Sequence, residues 1–526
     1  MMKKSFYLLL LPFIFFFHLI VNYTVMDRSE VARIYDEDNR ISAGFSYSRL
    51  FFYKPHLSLS EKLKPVFLLD SRQAHPHFYE VVESFFWGIA QEFRMPDEDI
   101  VILSTNMFFF LILLLSVYGI GSLLFDNMTG LLSSLLVSIF PLVFGHARIA
   151  MLDYPLMCMV ALSFYLLIKT DWFSSLFYSV LFGLSCGLSQ LTKEAAVFFL
   201  FAPFIYYVVH SYSGNQNRRA LLNSAIAFFV FIVVAGSVYL QISNFHAYGT
   251  YLGKSSLPFP AIARNYFNEF YKMTGFFVFV LSLPIMLSSL INFKKRDKLL
   301  FLWFIVPVLL FSVSPNRNIR FLLPVAPAFA LILVHELFAG AFSRTIRYTY
   351  LSAFMCVSVM QYTLYNAGVL CPATVPEDTC IDTGQLSVRR DKNLSVVPGL
   401  LECFKKETAG LARDRTIISM FNIGEINCTL NRKLLFAQIP LHVLCPMQAD
   451  EIEIRRSNRW KYPEEILCAD YIMHKSGYRY GLGARLTSDI EDVIIKGFDK
   501  YKAYYRVIAV VKSNDGTSVV VYKKND

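Results

Sequence analysis

GHARIAMLDYPLMC, residues 145–158, lies between an apolar run that ends near Phe144 and another that begins near Tyr154. It places Arg148 and Asp153 in an otherwise greasy stretch, and the reading of the whole chain turns on why they are there. The 526 residues are 55% hydrophobic and 16% aromatic, with only 17% charged. The mean hydropathy is +0.44. This composition is that of a membrane protein.

An apolar run of about 18 or more residues crosses a hydrocarbon core roughly 30 Å thick as a helix. The apolar runs and their breaks give spans near 5–25, 101–123, 130–145, 154–169, 174–190, 195–210, 221–243, 273–292, 299–314, 321–340 and 348–367, about eleven helices. The first follows Lys3 and Lys4, is long for a signal peptide and lacks a small-residue cleavage site, so it reads as a retained signal anchor. Short basic loops stay cytoplasmic. With the N-terminus inside, eleven spans put MMKK, NQNRR (215–219), FKKRDK (293–298) and SRTIR (343–347) all on that side. Residues 26–100, the loop 244–272 and residues 368–526 then lie outside. The net charge of +10 follows from this orientation and calls for no nucleic-acid partner.

The expected organisation is a transmembrane domain, 1–367, and an external α/β domain, 368–526. Six of nine cysteines (Cys371, Cys380, Cys403, Cys428, Cys445, Cys468) fall in the latter. An even number in an exported segment suggests disulfides; six buried thiols are the plain alternative. Near the end, YYRVIAVVKSNDGTSVVVYKK reads as a β-hairpin turning at Asn514-Asp515-Gly516. This domain carries no metal-ligand spacing, phosphate loop or nucleophile elbow, which leaves support, acceptor docking or specificity as its role. The sequons at Asn393 and Asn427 matter only in a host that glycosylates them.

The first external loop, 26–100, contains the acidic run Asp36, Glu37, Asp38. It ends in HPHFYEVVESFFWGIAQEF (75–93), where Phe78, Val81, Val82, Phe85, Phe86 and Ile89 have the spacing of a helix lying in the membrane interface. A carboxylate of the run is a candidate general base for an acceptor hydroxyl; a solvated acidic turn or helix cap is the ordinary reading. Other charges gather near the outer face: Arg148 and Asp153, Lys193 and Glu194, Arg317 and Arg320. Cations there run against the positive-inside bias, and a charge at the bilayer centre costs about 2.5–3.5 kcal/mol. Guanidinium and ammonium groups gathered at one boundary suit a lipid-linked phosphate. Singly, snorkelling or local pairing accounts for each, and for Arg148 pairing with Asp153 is the preferred account.

Taken in order, the acidic DE, the HP before an interfacial helix, RIAMLDYPLM, LTKE and RxxRFLLPVAP resemble the GT-C glycosyltransferases over residues 1–370. More narrowly, they are similar to the protein O-mannosyltransferases and the aminoarabinose transferases acting on lipid A. The resemblance implies inverting transfer of a sugar from a polyprenyl-phosphate donor to a protein, lipid or glycan acceptor at the external face of a cell membrane, such as the bacterial inner membrane. It makes Asp36 the general base, with Glu37 as second candidate. Lys193 and Arg320, with Arg317 nearby, fall to the donor phosphate; His75, Pro76, Asp153 and Arg148 fall to the substrate cavity. His77 stands where the family often has a second proline, and Phe321 where it has Tyr. The Asp36-x-Asp38 spacing invites a divalent metal as in the oligosaccharyltransferase branch, but no further acidic motif follows and no cofactor is expected. The rivals are a secondary transporter or lipid flippase, whose charges would lie near the midplane, and a non-catalytic scaffold with an external binding domain.

Overall fold

The computed structural model describes residues 4–27, 35–52, 58, 60–62, 76–93, 98–212, 217–239, 270–291, 298–312, 319–339, 344–367, 396–408, 415–419, 430, 434, 441–444, 469–476, 501–512 and 517–525. The chain divides into two compact units: Met1–Ser29 with Ala43–Val388, and Glu30–Ser42 with Arg389–Asp526.

Among its described residues the first unit is built of helices and has no strand. Its described helices are α1 (Lys4–Asp27), α2 (Tyr35–Phe52, which begins in the second unit), α3 (Phe78–Glu92), α4 (Glu98–Leu124), α5 (Asn127–Ser138), α6 (Pro141–His146), α7 (Asp153–Lys169), α8 (Leu176–Thr192), α9 (Ala196–Tyr212), α10 (Asn217–Tyr239), α11 (Phe276–Ile291), α12 (Lys298–Ser312), α13 (Ala326–Ala339) and α14 (Arg344–Asn366). Four stretches, Tyr7–Met26, Glu98–Leu124, Arg218–Gly236 and Ile319–Phe338, are long and apolar enough to cross a membrane, and four apolar helices are shorter. Every expected span coincides with described helix, with two local differences. The run 130–145 is broken, because Pro141 confines Phe140 to an extended conformation and then starts α6 at its first position. The run 321–340 opens with a 3-10 turn, Ile319–Val325, containing Pro324.

Small residues let these helices approach closely, as they must where lipid supplies no hydrophobic drive between spans. A Cβ on Gly183 would stand 2.2 Å from the Ala227 carbonyl oxygen, so α8 and α10 meet backbone to backbone. Gly121 of α4 and Gly130 of α5 make a similar contact, at 2.5 Å. Asp126 starts α5 by accepting hydrogen bonds from the Met128 and Thr129 amides, both at 2.9 Å. Trp303 of α12 stacks on Phe164 of α7, centroids 3.9 Å apart, and its Nε1 donates to the Pro324 carbonyl at 2.9 Å. That one indole fixes the 3-10 turn against two helices.

Helix α3 follows the HP element as expected. Its outward residues include Phe85 and Ile89, each 53% exposed, and the opposite face buries Tyr79, Glu80, Glu83 and Trp87. An apolar outer stripe suits a helix in the membrane interface. His77 in the place of a second proline leaves the start of this helix at Phe78.

Besides the start of α2 and a 3-10 turn at Lys502–Tyr504, the second unit has among its described residues the helix α15 (Val397–Glu407) and strands β1 (Arg415–Ser419), β2 (Leu441–Leu444), β3 (Tyr471–Ser476), β4 (Tyr505–Lys512) and β5 (Ser518–Lys524). The sheet order is β2-β1-β3-β5-β4. β1 runs parallel to β2 and β3, and β5 is antiparallel to β3 and β4. Val397, Leu400 and Phe404 of α15 cover one face, against Ile417, Tyr471, Met473, Val519 and Val521. The expected hairpin is present, with Lys512 opposite Ser518; its turn, 514–516, lies outside the described residues. Cys403 is a free thiol. The other five cysteines of this region lie outside the described residues.

Candidate functional site

The opening stretch is held in place from below. Asn106, in the first half of the apolar α4, donates from Nδ2 to the carbonyls of Ala147 (3.1 Å) and Ile149 (2.9 Å). The Tyr79 hydroxyl of α3 donates to Asn106 Oδ1 at 3.3 Å. An amide inside a span must satisfy its hydrogen bonds within the protein, and here it does so by pinning the turn that delivers Asp153.

Asp153 is the first residue of α7, where a carboxylate is favoured by the helix dipole; Lys193 follows the last residue of α8, where a cation is favoured. The two helices are joined through Ser163 and Ser189, whose hydroxyls lie 3.2 Å apart. These ends meet: Lys193 Nζ donates to Asp153 Oδ1 at 2.6 Å, with both side chains almost fully buried. Arg320 enters from the 3-10 turn, its Nε 3.8 Å from Asp153 Oδ2. Phe321 lies beneath both cations, with Lys193 Nζ 4.7 Å and the Arg320 guanidinium carbon 5.5 Å from its ring centroid. The face of an aromatic ring attracts cations, so the apolar residue at this position still serves the charged group. Among the described contacts two cations face the one Asp153 carboxylate, and the Arg320 side chain keeps 20% of its surface accessible. Such a group can receive an anion with phosphate-like oxygens.

Arg148 points elsewhere. Its Nε donates to Asn22 Oδ1 of α1 at 2.8 Å, its Nη2 donates to Asn366 Oδ1 of α14, and its guanidinium carbon lies 5.2 Å from the Phe144 ring centroid. The ion pairs of Asp153 are those with Lys193 and Arg320, so the expected mutual pairing of Arg148 and Asp153 gives way to two separate networks. Pro76 is buried ahead of α3. His75 and Arg317 lie outside the described residues, as do the side chains of Asp36 and Asp38. Asp36 and Glu37 belong to the first turn of α2, in the segment grouped with the second unit, and Glu37 is buried.

Glu80 and Glu83, buried on the inner face of α3, were not singled out by sequence reasoning, which followed the apolar stripe of that helix. Glu83 packs on Gly44 of α2, and Trp87 Nε1 donates to its Oε1 at 3.3 Å. Burial, and then the charge of Glu80, push the Tyr47 phenol above its ordinary range. Among the described residues no three His, Cys, Asp or Glu side chains gather as a metal group would.

Residues 83–237 match the family model of the dolichyl-phosphate-mannose-protein mannosyltransferases. That region includes Arg148, Asp153 and Lys193. GPI mannosyltransferase 4 of Schizosaccharomyces pombe is 23% identical over 234 residues, 43% of this chain, and the match spans 42% of that curated relative's length. Among solved structures, ArnT from Cupriavidus metallidurans bound to undecaprenyl phosphate superposes with a TM-score of 0.61 at 12% identity, covering 97% of both chains. The apo oligosaccharyltransferase of Archaeoglobus fulgidus gives 0.56 at 12% identity, over 98% of this chain and 74% of that one. The chain therefore has the polytopic helical fold of these structures, the GT-C fold.

Proposed function

We propose that this protein is a glycosyltransferase that moves a sugar from a polyprenyl-phosphate donor to an acceptor hydroxyl at the external face of the membrane, with inversion. The observation that carries the reading is the buried Asp153–Lys193–Arg320 group at the joined ends of α7 and α8. A phosphate-linked sugar already carries a good leaving group, so the enzyme needs positive charge on the departing phosphate and a base on the acceptor. Lys193 and Arg320 supply the charge, with Arg317, three residues earlier in the sequence, as a further candidate. Asp153 holds Lys193 in one rotamer and Arg320 within reach, so the cations are set before the donor arrives. Asp36 is the proposed base and Glu37 its alternative, an assignment that rests on the order of motifs in the sequence. His75 and Pro76 are assigned to the substrate cavity, again from the order of motifs.

The test is sugar transfer by membranes holding the full chain, with polyprenyl-phosphate sugars as donors and cell-envelope glycans and glycoproteins read by mass spectrometry. Asp36→Asn should abolish turnover while leaving donor binding intact, and Lys193→Ala and Arg320→Ala should raise the donor KM. Undiminished turnover in Asp36→Asn excludes it as the base. Unchanged donor dependence in both cation variants excludes the phosphate assignment.

A further inference from the structure

We infer that Arg148 is a positioning residue for the Asp153–Lys193 pair, and that α1 and α14 take part in the site through its two asparagine partners. The inference rests on the functional reading above and adds the support that reading lacks. Arg148 lies in the turn joining α6 and α7, five residues ahead of Asp153. The residue is 3% exposed, and its guanidinium donates to Asn22 Oδ1 at 2.8 Å and to Asn366 Oδ1. Asn366 is itself held, donating from Nδ2 to the Tyr362 carbonyl at 2.8 Å. Around the same point, the Tyr362 hydroxyl meets His18 Nδ1 at 3.3 Å, and His18 Nε2 meets the Ser138 hydroxyl at 3.0 Å.

The fork of a guanidinium carries donors in fixed directions, so one arginine can hold two acceptors on different helices at set angles. Asn106 grips the same turn by its backbone from α4. The turn is thus fixed by a side chain above and by its carbonyls below, and its only continuation is the first residue of α7. A loosened turn moves Asp153, and with it the ammonium that Asp153 holds at 2.6 Å. Arg148 acts on the site through this chain of contacts.

The test uses the purified full chain in nanodiscs and two readouts. The first is acylation of Lys193 by a small amine-reactive ester, followed by peptide mass spectrometry, with the buried thiols Cys158 and Cys186 as monitors that the bundle is intact. Asn22→Ala, Asn366→Ala and Arg148→Lys should each speed Lys193 acylation about tenfold, the scale of one charge-assisted hydrogen bond, while both thiols stay unreactive. Asn22→Asp, which keeps an acceptor, should restore slow acylation. Wild-type acylation rates in Asn22→Ala and Asn366→Ala overturn the inference. So does rapid alkylation of the two thiols in all three variants, because it marks a general loosening. The second readout is binding of undecaprenyl phosphate, which should weaken in the same variants and recover with Asn22→Asp. If the unaltered protein fails to bind this probe, the donor reading falls, and the acylation result still decides the role of Arg148.

Discussion

A buried ion pair is costly to break from one side. Removing Lys193 leaves the Asp153 carboxylate buried with Arg320, at 3.8 Å, as its remaining ion-pair partner among the described residues, and loss of one partner of such a pair costs about 3–5 kcal/mol. With Arg320 in place, Lys193→Ala should lose about 3 kcal/mol, seen as a lower thermal midpoint in detergent. Adding Asp153→Asn to that variant removes the orphaned charge, so the double variant should melt above the single one. The opposite order would mean that Asp153 is stabilised by something other than these cations. Cys403 is a second residue with a definite chemical expectation. Burial, and then the charge of Glu407, hold its thiol above the ordinary range against the weaker pull of Lys406. The thiolate is the nucleophile, so alkylation by iodoacetamide at pH 8 should be slower than in the denatured chain and should climb as pH rises beyond the usual cysteine range. Peptide-resolved mass spectrometry measures both rates; equal rates at pH 8 would contradict the shift.

Between helices the decisive feature is how closely backbones meet. An added Cβ at Gly183 would overlap the Ala227 carbonyl at 2.2 Å, a contact with backbone that side-chain movement cannot relieve. At Gly236 of α10 the nearest atom is 3.5 Å away. Gly183→Ala should therefore destabilise by about 1–3 kcal/mol through overpacking. Gly236→Ala should be neutral or stabilise by about 0.5–1 kcal/mol through helix propensity. Thermal midpoints in detergent separate the two, and equal effects would show that α8 and α10 are not in backbone contact. The helices themselves were legible because each apolar run is bounded by charge, glycine or proline. The site was legible in part: the LTKE and LDYP elements announced Lys193 and Asp153, since charges beside apolar runs need a reason. What holds them was not legible. Asn22 and Asn106 are uncharged polar residues inside apolar runs, a signal that marks a hydrogen bond without naming its partner. The division of labour between Arg148 and Asp153 depends on where α1 and α14 pack, which periodicity does not encode. Glu80 and Glu83 escaped because the apolar stripe of α3 was read as the informative face, while the buried face is the mixed one.

At the scale of the whole molecule, the GT-C fold defines a frame, and the remaining question is which way the frame is inserted. Charge supports the orientation proposed above. Lys193 follows the end of α8, whereas the basic stretch NQNRR comes one expected span further on, after α9. A chain that crosses the membrane once moves to the other side, so on this reading the two cationic groups belong to opposite faces. Short basic turns remain cytoplasmic, and NQNRR, FKKRDK and SRTIR are separated from one another by even numbers of expected spans, so they agree on a single face. If all eleven expected spans cross, parity puts residues 368–526 on the other side, in keeping with the proposed orientation. Arg219→Cys in the basic turn and Lys512→Cys in β4, both exposed positions, convert this into a measurement with a membrane-impermeant maleimide. Lys512→Cys should label in intact cells or in sealed vesicles of external-side-out orientation, and Arg219→Cys only after permeabilisation. Labelling of both from one side would break the parity, and with it the placement of sugar transfer on the external face.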